Sequence, residues 1–260
     1  MEQEKIKKIH PAYIAVWASV VAAGHLIPTL PIWGTGSNFS IANVLSPLSG
    51  IFFGPIVGAL CSAIGGFIGS FVSPVPPMLG PFTFIIGTVS AFTTGCIAWS
   101  KWPPVKVNME GSFIINGGLI VYIIGTILWF TQEAGRNFIW LPVVFYGLGF
   151  IAMVVGFFLA GKFFASSKKV LKLPAIWLSA FGGLIGGATV GNFFYLVIFT
   201  PPAVDLVRLV FVSPLERALF AAVAMIIGVS LLEGLRKIGV SVGPVKNLIT
   251  EDTESTEDTE

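Results

Sequence analysis

Two pairs of polar residues stand out by their spacing in an otherwise apolar chain. Glu133 and Arg136 are three apart, and so are Asn192 and Tyr195; on a helix, residues three apart share a face. A carboxylate, a guanidinium, an amide and a phenol can hold a small organic molecule by hydrogen bonds, but they do not make a nucleophile with its base. Further polar and aromatic groups collect nearby in the chain. Trp33 and Asn38 lie in WGTGSNFS, followed by Asn43; Asn137 and Trp140 lie in TQEAGRNFIW; Asp205 follows Pro201-Pro202. Loops on a rigid scaffold are common binding sites. The candidate substrate-binding residues are therefore Trp33, Asn38, Asn43, Glu133, Arg136, Asn137, Trp140, Asn192, Tyr195 and Asp205. The competing reading of the same residues is an aromatic belt with solvated loop charges.

Other chemistry finds no footing. GFFLAGK at 156–162 has the spacing of a phosphate-binding loop, but Phe163 stands where a hydroxyl for Mg²⁺ is needed, and the stretch ends an apolar helix. No HExxH or G-x-S-x-G motif occurs. A catalytic site is not expected. His10 and His25 are the only histidines, and Cys61 and Cys96 fall in apolar segments, so neither a metal, a disulfide framework nor another cofactor is called for. No acidic residue falls near the middle of an apolar segment, where a proton-driven machine keeps an ionisable group. His25 is the nearest candidate, and packing is the plainer role for it. Sodium coupling through carbonyls and hydroxyls stays open.

The elements that must position these groups are membrane helices. Of 260 residues, 55% are hydrophobic and 11% charged, with a mean hydropathy of +0.88; a soluble domain is about a quarter charged. A net charge of +2 gives no argument for nucleic acid. Apolar segments run at about 11–31, 41–53, 54–73, 81–99, 113–131, 140–163, 176–199 and 214–235, with Pro-rich breaks between several of them. The expected fold is an all-α integral membrane bundle of 6–8 transmembrane helices. Its second helix is short, joined to the third through Gly54-Pro55. If the segments alternate from an inside N-terminus, only Arg136, Arg208 and Arg217 of the 15 basic residues fall outside. The chain then divides into a cytoplasmic N-terminus at 1–10, a transmembrane domain at 11–237 and a cytoplasmic, acidic, disordered tail at 238–260, in the plasma membrane.

Small residues repeat every four in the third segment (Gly54, Gly58, Ser62, Gly66, Ser70) and in the seventh (Ser179, Gly183, Gly187, Gly191). In lipid, close backbone approach takes the place of hydrophobic attraction between helices. Internal packing is the plain explanation of each pair.

IANVLSPLSGIFFGPIVGALCSAIGGFIGSFVS at 41–73 resembles the most recognisable part of the substrate-binding S components of energy-coupling-factor (ECF) transporters. There, a short second helix leads through a Gly-Pro turn into a Gly-rich third. SPLERALFAAVAMIIGVSLLEGLRK at 213–237 is similar to their last helix, and Ala18-x-x-x-Ala22 resembles the small-residue face by which they meet their coupling subunit. The resemblance implies a subunit that captures a vitamin or related solute. It would work with a transmembrane coupling subunit, contacted through Ala18 and Ala22, and with cytoplasmic ATPase subunits. Members usually have about six helices, so the pair at 113–163 is where an insertion would fall. From the residues alone, two other readings stay open: a self-sufficient, sodium-coupled transporter, and a membrane enzyme or assembly factor.

Overall fold

The computed structural model describes residues 11–32, 35–100, 109–166, 168–238, 240 and 242–244. Its helices are α1 (Pro11–Gly24), α2 (Ala42–Phe53), α3 (Pro55–Val72), α4 (Phe84–Ala98), α5 (Met109–Thr131), the short α6 (Glu133–Asn137), α7 (Gly147–Ala165), α8 (Lys169–Phe199) and α9 (Ala203–Lys237). A π-helical turn at Leu141–Tyr146 leads into α7, and a 3₁₀ turn at Gly80–Thr83 leads into α4. Five apolar stretches are long enough to cross a membrane, and Pro11–Gly24, Ala42–Phe53 and Gly117–Thr131 are shorter apolar helices. The all-α membrane bundle is therefore the fold observed. With 12 residues, α2 is about 18 Å long, well short of the ~30 Å hydrocarbon core. It stops at Gly54, whose φ of 84° is open to glycine at little cost, and Pro55 then starts α3 with its preset φ.

Backbone contact between helices accounts for many of the glycines. A Cβ on Gly50 would run into the Ala91 carbonyl of α4, and one on Gly65 into the Ala18 carbonyl of α1. A Cβ on Gly187 would lie 2.6 Å from the Ile86 carbonyl oxygen of α4. Helix α8 is the central member, packed on α4, α7 and α9, while α5 and α7 lie against α4 and α8. The apolar core is pinned by side-chain donors that reach backbone carbonyls: Trp99 Nε1 to Ile51 at 3.0 Å, Tyr122 Oη to Gly182 at 2.6 Å, and Trp177 Nε1 to Ala218 at 3.3 Å.

Three boundaries differ from the sequence reading. The first apolar segment does not stay helical to residue 31. Helix α1 ends at Gly24, and β1 (Pro28–Ile32) pairs antiparallel with β2 (Ser37–Ser40) in a hairpin. Pro28 and Pro31 cannot donate helical bonds, and Gly36 with φ 69° turns the chain. Helix α8 begins at Lys169, seven residues before the expected start, with Pro174 inside it. Helix α9 begins at Ala203 and carries Pro214 internally. Pro174 precedes the expected seventh segment as a break would, but Pro174 and Pro214 each remove one backbone bond without ending the helix.

Candidate functional site

The C-terminal ends of α1, α3 and α8 meet the N-terminal ends of α2, α4 and α9 at one end of the bundle, and a cleft opens there. The hairpin forms one wall, held by Ser37 Oγ donating to the Pro76 carbonyl at 2.6 Å and Asn43 Nδ2 donating to the Ser40 carbonyl at 3.1 Å. The cleft encloses about 1180 Å³ of empty space, its open mouth included. Counted only as room for the centres of water molecules, it holds about 110 Å³. Phe39, Met78, Phe84, Ile86 and Leu209 give apolar walls, and His25, Asn38, Ser40, Asn43, Ser46, Ser62, Asn192 and Tyr195 supply polar groups. An apolar cleft with a few fixed polar groups suits a vitamin-sized molecule.

Charge enters from α9. Asp205 and Arg208 form a 3.1 Å ion pair near the mouth. Deeper in, Arg217 and Glu216 approach to 3.5 Å with side chains 10% and 11% exposed. That contact is an ion pair too long for a hydrogen bond, and Arg217 Nη1 has no hydrogen-bond partner among the described residues. The guanidinium lies 4.5 Å above the Phe39 ring, and Phe39 meets Phe220 edge-on at 5.5 Å. Ser62 Oγ, also lining the cleft, is likewise buried without a hydrogen-bond partner among the described residues. Beside them, His25 Nδ1 lies 3.5 Å from Ser40 Oγ. Burial pushes the His25 imidazole below its ordinary pKa.

Of the sequence candidates, Asn38, Asn43, Asn192, Tyr195 and Asp205 all line this cleft. Glu133, Arg136, Asn137 and Trp140 lie elsewhere, on or just after α6, and are exposed. Trp33 lies outside the described residues. Ala18 and Ala22 point inward: they are 3% and 9% exposed, with the Ala18 carbonyl against Gly65 of α3. The exposed small residues of α1 are Ala12, Ala15, Ser19 and Ala23. His25, Ser46 and Ser62 line the cleft without having been candidates, and Glu216 and Arg217, outer-loop charges in the sequence, line it as well. A span beginning at 214 had placed Glu216 and Arg217 at its outer edge, whereas α9 already runs eleven residues before Pro214.

One contact ties the cleft to the α5–α7 side of the bundle. Asn192 Nδ2 donates to Tyr146 Oη at 3.4 Å, both residues are buried, and Tyr146 packs edge-on to Trp129 at 6.3 Å. Removing the hydroxyl with Tyr146→Phe is expected to weaken solute binding by about 0.5–1.5 kcal/mol. Asn192→Ala should cost more, about 1–3 kcal/mol, because it also removes the amide from the cleft wall. A binding titration of each purified variant checks both.

Membrane helices around a solute-sized cleft make this a membrane protein built to hold a small organic molecule. Residues 4–136, just over half of the chain, match the family described as ECF-type riboflavin transporter, S component. The chain belongs to that family, and as a member it is a substrate-binding subunit of an ECF-type vitamin transporter. Neither the curated proteins nor the solved structures gave a match.

Proposed function

We propose that the chain captures riboflavin in the cleft between the hairpin, α4, α8 and α9 and presents it for uptake. The single observation that carries this reading is the make-up of the cleft in a chain of this family. Flat aromatic faces at Phe39, Phe84 and Tyr195 stand beside the amides of Asn38, Asn43 and Asn192 and a buried Arg217–Glu216 pair. An isoalloxazine ring is flat, carries donors and acceptors along one edge, and bears a polyhydroxyl chain that the Asp205–Arg208 end of the cleft would suit. Energy then comes from cytoplasmic ATPase subunits through a transmembrane coupling subunit, the partners that the family description implies. Flavin fluorescence gives the test. Riboflavin titrated into the purified protein should be quenched saturably at one molecule per chain; the absence of saturable quenching overturns the assignment.

The cleft mouth faces outward in this proposal. The support is the charge map: Lys162, Lys168, Lys169, Lys172, Arg236 and Lys237 all belong to the opposite end. Cysteine introduced at exposed Asn137, on the mouth side, should react with an impermeant thiol reagent added to whole cells, and cysteine at exposed Lys168 should not. Both native cysteines are buried, so their background is low. The reverse labelling would sink the orientation.

A further inference from the structure

Beneath the floor of the cleft lies a second, much smaller void, between α2, α4, α8 and α9. Asn43, Ser46, Gly87, Ser90 and Arg217 line it, with Ile86 and Leu184 closing it. Counted as room for water centres it is about 10 Å³, at the lower edge of the roughly 10–15 Å³ that one water requires. Two of its lining atoms stand out. Ser90 Oγ and Arg217 Nη1 are each fully buried without a hydrogen-bond partner among the described residues. Buried polar atoms are nearly always partnered, because an orphan forfeits its hydration with nothing in return. Here two orphans, from different helices, border the same void.

We infer that this void binds one ordered water molecule, which accepts from Arg217 Nη1 and bridges to Ser90 Oγ. The chemistry selects water over an ion. The Glu216 carboxylate, 3.5 Å from the same arginine nitrogen, cancels the charge that would draw an anion. The guanidinium repels a cation. A serine hydroxyl can give or take a hydrogen bond and an arginine only gives, so a molecule with two donor and two acceptor positions satisfies both. Its expected effect is on position: the bridge fixes the Arg217 guanidinium from below while Phe39 covers it at 4.5 Å. The site stands whatever solute occupies the cleft above.

A high-resolution structure of the intact protein, with a second data set from bromide-soaked crystals, tests it directly. The expected result is one peak within hydrogen-bond distance of both atoms and no anomalous bromide signal. An empty void or a bromide peak there overturns the inference. Ser90→Ala supplies an independent sign. Were the void dry, the substitution would only remove an orphaned hydroxyl, and the melting temperature would hold or rise. With the bridge present, the melting temperature should fall by a few degrees, and solute affinity should fall about two- to tenfold. An unchanged or raised melting temperature also overturns it.

Discussion

Arg217→Ala should abolish solute capture rather than weaken it. Arg217 and Glu216 are paired at 3.5 Å with side chains about one-tenth exposed. Removing one member of a buried pair strands the other, at a cost of about 3–5 kcal/mol. If that cost falls on the bound state, affinity drops by about two to four powers of ten. The guanidinium also covers Phe39, which joins the hairpin wall to α9 through Phe220, so the wall loosens with it. Arg136→Ala is the contrast. Arg136 is exposed on α6, away from the cleft, and its loss should change affinity less than twofold. The measurement is a flavin-quenching titration beside a melting curve for each variant. Should Arg217→Ala not fold, the neutral pair Glu216→Gln with Arg217→Gln removes both charges and strands neither; it should fold and still bind far more weakly. Retention of affinity within tenfold by the folded variant would reject Arg217 as a binding residue.

How far the sequence led depends on the kind of feature. Composition and apolar run length were enough for the membrane bundle, because a chain with so few charges has one class of environment open to it. The half-length α2 and the turn at Gly54-Pro55 were legible for a local reason: a φ of 84° before a proline is a backbone demand that Gly-Pro answers by itself. The hairpin was hidden because TLPI reads as the tail of an apolar run, and its pairing with SNFS depends on a turn between them. Five of the ten solute candidates meet in one cleft because the ends of α2, α8 and α9 bring together Asn43, Asn192 and Asp205, residues far apart in sequence. The α6 candidates were grouped with them only by sharing one end of the bundle, and no sequence rule separates α6 from the cleft. Arg217 falls among the outer-loop charges in the sequence and outside the short list of candidates, for a physical reason. An apolar segment counted from about 214 leaves the arginine at its outer, loop-facing edge, yet α9 already runs from Ala203 and buries the residue to 8% exposure.

The remaining large effect concerns docking. On α1, Ala15, Ser19 and Ala23 recur every four residues and are exposed, while Ala18 and Ala22 are buried against α3. Small exposed side chains let a second helix approach closely, and exposed Val16 and Val20 flank the stripe as apolar contact surface. We propose that this outward stripe, rather than the inward Ala18–Ala22 pair, meets the coupling subunit. Ser19→Trp with Ala23→Trp should then leave riboflavin binding by the isolated subunit within twofold of wild type. Uptake into cells or vesicles that contain the whole transporter should be lost, because two indoles keep the partner backbone out of reach. Ala18→Trp should behave differently. Its side chain would have to enter the crossing where the Ala18 carbonyl already touches Gly65, so it should lower the melting temperature and impair binding together. Normal uptake by the Ser19/Ala23 double variant would reject the stripe as the contact. A loss of binding equal to the loss of uptake would mean that the face serves the fold of this chain and not its partner.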